Sequence, residues 1–270
     1  DKDRGVVTHS SGNHAQGIAR AARMLGRMRA VIVMPDDAPA IKVEGVRADG
    51  AEIIFVGADN QERIARAEEL AQEQGLVLVS SFDDARIVAG QGTVGLEIVE
   101  QVAELGRANQ PLTVFVPIGG GGLSSGVCVA VKTLRPDATV IGVEPELAAD
   151  AAESLREGRL VRWEPSLTGR TIADGVRTSA VGHIPWAQLS RLIDDIVTVS
   201  EDDIRRAMLT AATRANIVAE PSGAVAIAGW ERYGEQLRDA DESDTVIVVS
   251  GGNVDPETYQ TLLAEARALD

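Results

Sequence analysis

A single cysteine, Cys128, in 270 residues has no partner for an intrachain disulfide, so the fold cannot rest on covalent staples and a reducing compartment suits the chain. Aromatic residues are scarce, with three Phe, two Tyr and three Trp, and lysine occurs only at Lys2, Lys42 and Lys132. Bases number 26 against 41 acids, and the resulting charge of −15 has the wrong sign for neutralising a phosphate backbone, so no nucleic-acid partner is expected. No apolar run approaches the roughly 18 residues that a membrane span needs, so no membrane partner is expected either. The opening residues Asp1-Lys2-Asp3-Arg4-Gly5 have neither an initiating Met nor the apolar stretch of a secretory signal, and they carry no targeting information. A soluble, cytoplasmic setting is the expectation.

What is present is 44% hydrophobic residues, 27 glycines and enough length for one or two domains with real cores. Short β-branched runs recur at Val6–Thr8, Ala30–Met34, Glu52–Val56, Leu76–Val79, Thr113–Ile118, Thr139–Val143, Ile196–Val199 and Thr245–Val249. Between them, Gly17–Leu25, Gln61–Gln74, Thr93–Leu105, Leu123–Leu134, Glu201–Ala215 and Pro256–Leu269 carry apolar residues at three and four spacing. The alternation predicts an α/β fold with mostly parallel sheets. Ser80-Ser81-Phe82-Asp83-Asp84 interrupts the pattern, which places a small domain over residues 5–83 and a large one over 84–270.

The sharpest motif is Gly119-Gly120-Gly121-Gly122 between a strand and a helix opening at Leu123. Without Cβ atoms such a loop exposes N–H groups to an anion while the helix end adds its partial positive charge, and four glycines are an entropically costly choice for an ordinary turn. The loop holds no Gly-Lys-Ser/Thr and is not a Walker A site. Gly122-Leu123-Ser124-Ser125-Gly126 also fits the nucleophile elbow of α/β-hydrolases, but only His183 lies downstream, and the glycines push Ser124 into the first helical turn. Gly90-Gln91-Gly92-Thr93-Val94-Gly95 fits a dinucleotide fingerprint without the acidic residue such a site needs. A second polar turn, His9-Ser10-Ser11-Gly12-Asn13-His14, offers donors for a carboxylate or simply caps a helix. A third strand end, Ser250-Gly251-Gly252-Asn253, suits the close approach of a flat ligand.

Taken in order, Ser10–His14, Gly90–Thr93, Gly119–Gly122, Thr171-Ile172-Ala173-Asp174-Gly175-Val176 and Ser250–Asn253 resemble the fold-type II (tryptophan synthase β-like) pyridoxal-phosphate enzymes, nearest the serine/threonine dehydratase and serine racemase branch. The resemblance implies that Gly119, Gly120, Gly121, Gly122 and the Leu123 backbone hold the cofactor phosphate, that Asn13 contacts the ring hydroxyl and that Ser250 faces the pyridine nitrogen. It assigns Ser10, Ser11, Asn13 and His14 to the substrate carboxylate, and Ser11 to the second acid/base face that permits racemisation. Glu144 and Asp150, with the Ala148 carbonyl, match a divalent-cation segment suited to Mg²⁺ or Ca²⁺. Glu220-Pro221-Ser222-Gly223 matches a segment near the ring, and Cys128 and Met24 are expected in the core.

One departure stands out. The family's cofactor is carried by a lysine well upstream of the Ser-Ser-Gly-Asn turn, and Lys2, Lys42 and Lys132 match it neither in spacing nor in context. The expectation is that an N-terminal part, with that lysine, is absent from this sequence; the alternative is an inactive homologue or fragment. The absence of a following regulatory domain favours a catabolic member. The expected activity is conversion of L-serine, L-threonine or a related β-hydroxy amino acid to a 2-oxo acid and ammonia, by a homodimer. Serine racemisation is the alternative.

Overall fold

The computed structural model describes residues 2–10, 12–57, 60–237 and 243–269, apart from the side chains of Lys2, Asn60 and Gln61. The chain divides into two compact units, Asp1–Ser81 and Phe82–Asp270.

In the first unit, β1 (Val6–His9), α1 (Asn13–Met24), β2 (Ala30–Pro35), α2 (Ala40–Ala48), β3 (Glu52–Val56), α3 (Asn60–Gln74) and β4 (Val77–Leu78) follow one another. The strands form a parallel sheet in the order β3-β2-β1-β4. Because strand side chains alternate, Val31 and Val33 of β2 pack with Ala67 and Leu70 of α3 on one face. Ile32 and Met34 pack with α1 and α2 on the other, through Ala15, Ala19, Val43 and Val46. A strand buried on both faces reads as a continuous apolar run, as Ala30–Met34 does.

The second unit runs α4 (Ala85–Glu104), β5 (Leu112–Pro117), α5 (Gly122–Leu134), β6 (Thr139–Pro145), α6 (Asp150–Glu157), α7 (Pro165–Thr168), α8 (His183–Leu192), β7 (Asp195–Val199), α9 (Glu201–Thr210), α10 (Pro221–Leu237), β8 (Asp244–Ile247) and α11 (Pro256–Arg267). A π-helical turn, Ala211–Ala215, follows α9, and Asn216 leaves it at φ 56°. Its parallel sheet has the order β7-β6-β5-β8. Val114 and Val116 of β5 face a core shared with α5 and α8, through residues such as Val127 and Leu189. Phe115, between them, faces Met208 of α9 and Val225 of α10.

Several expectations need correction. α1 begins at Asn13, not Gly17, and α4 begins at Ala85, where Asp84 accepts the Arg86 N–H, not at Thr93. α8 and α10 were not foreseen: Pro221 through Gly229 are all buried, so α10 has no polar face there to create a period. Met24 ends α1 at 72% exposure and is not core, whereas Cys128 is buried and its thiol is pushed up to about 12 by burial. Finally, Gly90–Gly95, which fits the spacing of a dinucleotide fingerprint, lies inside α4.

There the glycines serve helix contact. A Cβ on Gly95 would stand 2.8 Å from Ala130 Cβ and 2.9 Å from the Val127 carbonyl of α5, whereas a Cβ on Gly90 would meet nothing within 4 Å. Gly90→Ala should therefore stabilise the protein by about 1 kcal/mol through helix propensity. Gly95→Ala should cost about 2 kcal/mol through overpacking. Denaturant unfolding of the two variants measures both signs; equal effects would refute the packing account.

Candidate active site

In the second unit the strand order reverses at β5, which has β6 on one side and β8 on the other. Successive helices diverge at such a point and leave a crevice beyond the strand ends, the usual ligand position in open α/β sheets. Two expected segments leave side by side there. Gly119–Gly122 follows β5, and Ser250-Gly251-Gly252 follows β8, whose register is continued by the Val248 N–H donating to the Phe115 carbonyl at 2.9 Å.

The glycine loop is shaped by its neighbours. Gly121 lies at φ 87°, a left-handed conformation that costs glycine nothing, and it caps α5 without any side-chain hydrogen bond. Phe82 occupies the space a side chain on Gly120 would need, and Val181 and Pro185 lie 2.7 and 2.8 Å from where a Gly121 Cβ would be. The first turn of α5 thus points its N–H groups past a loop free of side chains, the arrangement that binds phosphate. Ser124 and Ser125 do not contribute hydroxyls to that space: their Oγ atoms donate back to the Gly121 and Gly122 carbonyls at 3.3 and 3.2 Å, and both residues are buried. This disposes of Ser124 as a hydrolase nucleophile.

Ser250 is exposed at the end of its strand. The backbone behind it is pinned by the Glu220 N–H, which donates to the Gly251 carbonyl at 3.0 Å, and by Gly223, which packs directly on Gly251. Ser222 Oγ in turn accepts the Gly175 N–H at 2.8 Å, and Glu201 accepts the Ile172 N–H at 2.7 Å. The Thr171–Val176 and Glu220–Gly223 segments are therefore braces of the strand end, a role their sequences did not disclose.

Glu144 is the penultimate residue of β6 and Asp150 opens α6; both are buried. The Glu144 oxygens accept the Ala151 and Ala152 N–H groups at 3.1 and 2.8 Å. Burial, then the neighbouring Asp150 charge, nonetheless holds Glu144 well above the usual carboxylate range. Burial pushes Asp150 up to about 7 against the pull of backbone N–H groups of Asp150 and Val181 and of the Arg162 charge. Those N–H groups fall short of hydrogen-bond geometry, and both Asp150 oxygens are buried without a partner. Two buried carboxylates, one of them orphaned, fit a divalent cation. No group of three or more His, Cys, Asp or Glu is arranged for a metal among the described residues, so the carbonyl of Ala148 would have to complete the set.

The first unit has the same topology, reversing at β1, and the polar turn leaves from β1. The Gly12 N–H donates to Ser10 Oγ at 3.2 Å, and Asn13, exposed, opens α1. Ser11 lies outside the described residues. Lys42, missed as a neighbour of this turn, is buried and runs its side chain along Gly12. Lys132 is tied to the Ala138 carbonyl and Asp194, at 2.5 and 2.8 Å. Thr8 Oγ1 donates to the Val79 carbonyl at 2.6 Å, so it accepts from His14 Nε2–H at 3.1 Å. That commits the Nε2 hydrogen of His14 to Thr8.

The family profile described as pyridoxal-phosphate dependent enzyme matches residues 1–251. L-threo-3-hydroxyaspartate ammonia-lyase of Saccharomyces cerevisiae is 39% identical over 263 residues, which span 97% of this chain and 77% of that protein. Serine racemase of Schizosaccharomyces pombe is 37% identical over 261 residues, again 97% of this chain and 77% of that protein. Among solved structures, a T.th. threonine deaminase superposes with a TM-score of 0.86 at 41% identity, covering 94% of this chain and 79% of that one.

Burial, aided by His9, lowers His14 from 6.5 to about 4. Between those values the unfolded chain binds the proton and the folded chain does not, so acid favours unfolding: this contribution is present above pH 6.5 and lost as pH falls toward 4. His14→Gln should flatten the fall of stability across that window by up to about 1.4 kcal/mol per pH unit. Unfolding free energies of the two proteins at pH 7, 6 and 5 measure it; parallel curves would refute the burial of a neutral ring.

Proposed function

Because this chain belongs to the pyridoxal-phosphate dependent enzymes, we propose that it dehydrates and deaminates a small β-hydroxy amino acid to a 2-oxo acid and ammonia. The observation that carries the reading is the side-by-side exit of Gly119–Gly122 and Ser250 at the strand-order reversal of the second unit. The residues there fit the cofactor: an uncapped helix end behind a side-chain-free loop for its phosphate, and a small exposed hydroxyl for its ring.

When bound, pyridoxal phosphate supplies a ring that accepts the electron pair left at the substrate Cα. N–H groups of Gly119–Gly122 and Leu123 would hold its phosphate, Ser250 would meet its pyridine nitrogen and Asn13 its ring hydroxyl. A hydroxyl at the nitrogen, unlike a carboxylate, does not force it to stay protonated, which suits a carbanion that expels its β-hydroxyl at once. Ser10, Ser11, Asn13 and His14 would orient the substrate carboxylate, His14 through its backbone N–H in the first turn of α1, since its ring Nε2–H is committed to Thr8. In elimination the α-proton and β-hydroxyl leave as water, and a water molecule then releases ammonia and the 2-oxo acid. In racemisation, the second reading, a proton returns to the opposite face of Cα, for which Ser11 is the donor; the relative named serine racemase favours weighing it.

A cytoplasmic homodimer is the assembly we assign, supported by the resemblance and the lone buried cysteine. No helix among the described residues is long and apolar enough to cross a membrane. We assign Mg²⁺ or Ca²⁺ to Asp150, Glu144 and the Ala148 carbonyl, on the strength of the orphaned Asp150 oxygens.

The full-length gene product should form 2-oxo acid and ammonia in equal amounts from at least one of L-serine, L-threonine and L-threo-3-hydroxyaspartate. Turnover of none would favour an inactive homologue. Ser11→Ala should suppress racemisation at least about tenfold more than dehydration, since it removes one acid/base face; equal losses would sink that role. Chelation should lower the melting temperature, and Mg²⁺ or Ca²⁺ should restore it. An unmoved transition rejects the cation site.

A further inference from the structure

The glycine loop is held between two walls, and one side chain joins them. On one side Phe82 packs over Gly120 and Gly122, its Cα 3.1 Å from where a Gly122 Cβ would stand. On the other side lies the start of α8: the Gly182 N–H donates to the Gly120 carbonyl at 3.1 Å, and Val181 and Pro185 back Gly121. Gly182, as the N-cap residue of α8, has no side chain to satisfy the first turn. Asp83, the residue after Phe82, takes over that task from 101 residues away, its Oδ1 accepting the Ile184 N–H at 2.8 Å. Asp83 also fills the space of a side chain at Gly182, where a Cβ would be 2.8 Å from the Asp83 Cβ.

We propose that Asp83 is a positioning residue for the phosphate loop, acting through the N-terminus of α8. The inference rests on the reading of Gly119–Gly122 as that loop. A shift of the Gly182 N–H rotates the Gly120–Gly121 peptide, and peptide N–H groups bind phosphate only when aimed. Asp83 itself touches no ligand; it fixes the wall that fixes the loop.

The test compares ligands that differ only in the phosphate and carry no aldehyde for a lysine to capture: pyridoxine 5′-phosphate and pyridoxine, bound to the full-length protein resolved of its cofactor. In the parent protein the phosphate ester should bind much the tighter; a ratio near one overturns the loop reading itself, independently of Asp83. Given a large parent ratio, Asp83→Ala should reduce it about tenfold, the effect of losing one well-aimed hydrogen bond. Asp83→Asn, which keeps an acceptor oxygen, should hold it within about threefold of the parent. Gly182→Ala, whose Cβ displaces Asp83, should copy Asp83→Ala and carries the test if that variant does not fold. A purely structural role for Asp83 would weaken both ligands alike and leave the ratio unchanged. An unchanged ratio in Asp83→Ala and Gly182→Ala, or Asp83→Asn falling as far as Asp83→Ala, overturns the proposal.

Discussion

In a parallel sheet all strands send their outgoing connections from one edge, and a crevice opens only where the strand order reverses. Everything assigned to chemistry in this protein depends on that constraint, met twice. The orders β3-β2-β1-β4 and β7-β6-β5-β8 are the same order with different numbers, and each reverses at the strand opening its sheet. The two reversals are stitched differently. In the first unit the Val79 N–H donates to the Val7 carbonyl at 2.8 Å past the end of β4, and side chains add to the divide: Thr8 bonds the Val79 carbonyl and Ser81 the His9 carbonyl, at 2.6 and 2.5 Å. In the second, backbone hydrogen bonds likewise continue past the strands, but glycine-on-glycine packing at Gly223 and Gly251 takes the place of side-chain bonds.

Glycine serves two incompatible ends within one unit, and only the fold separates them. In α4 and α5, Gly95 and Gly126 let helix backbones touch; a Cβ on Gly126 would sit 2.5 Å from the Val88 carbonyl. At Gly119–Gly122 the same residue type keeps peptide groups accessible and permits the left-handed turn at Gly121. A spacing pattern such as Gly90–Gly95 cannot tell these apart, because both require only that a Cβ be absent. The difference is whether the neighbour is another helix or an open strand end.

The same logic sets what could be read from the sequence. Strands such as Ala30–Met34 and Thr113–Ile118 were legible because two-sided burial leaves an uninterrupted apolar run, and α3 and α11 because one-sided burial leaves a period. α10 was not, since burial on all sides erases the period. The tetraglycine loop and Ser250 announced themselves by composition. Phe82 and Asp83 did not, as their importance lies in contacts with Gly120 and Ile184 that no local pattern encodes. Glu144 and Asp150 stood out among 41 acids only through the resemblance; their burial is what composition could not disclose.

The acidic excess poses a last physical question, since both expected ligands, a phosphate ester and an amino-acid carboxylate, are anions. A chain of charge −15 does not attract them through its overall field. Neither binding turn carries Lys or Arg of its own: residues 8–16 and 112–131 contain none. Attraction must therefore come at short range: from peptide N–H groups and helix ends, whose effect fades within a turn, and at the turn of the first unit also from Lys42, whose buried side chain runs along Gly12. The glycine loop, with no cation of its own, gains little from charge and almost everything from aim. That is why the loop needs walls on both sides, and why a carboxylate, Asp83, can serve an anion site by holding the wall instead of facing the ligand.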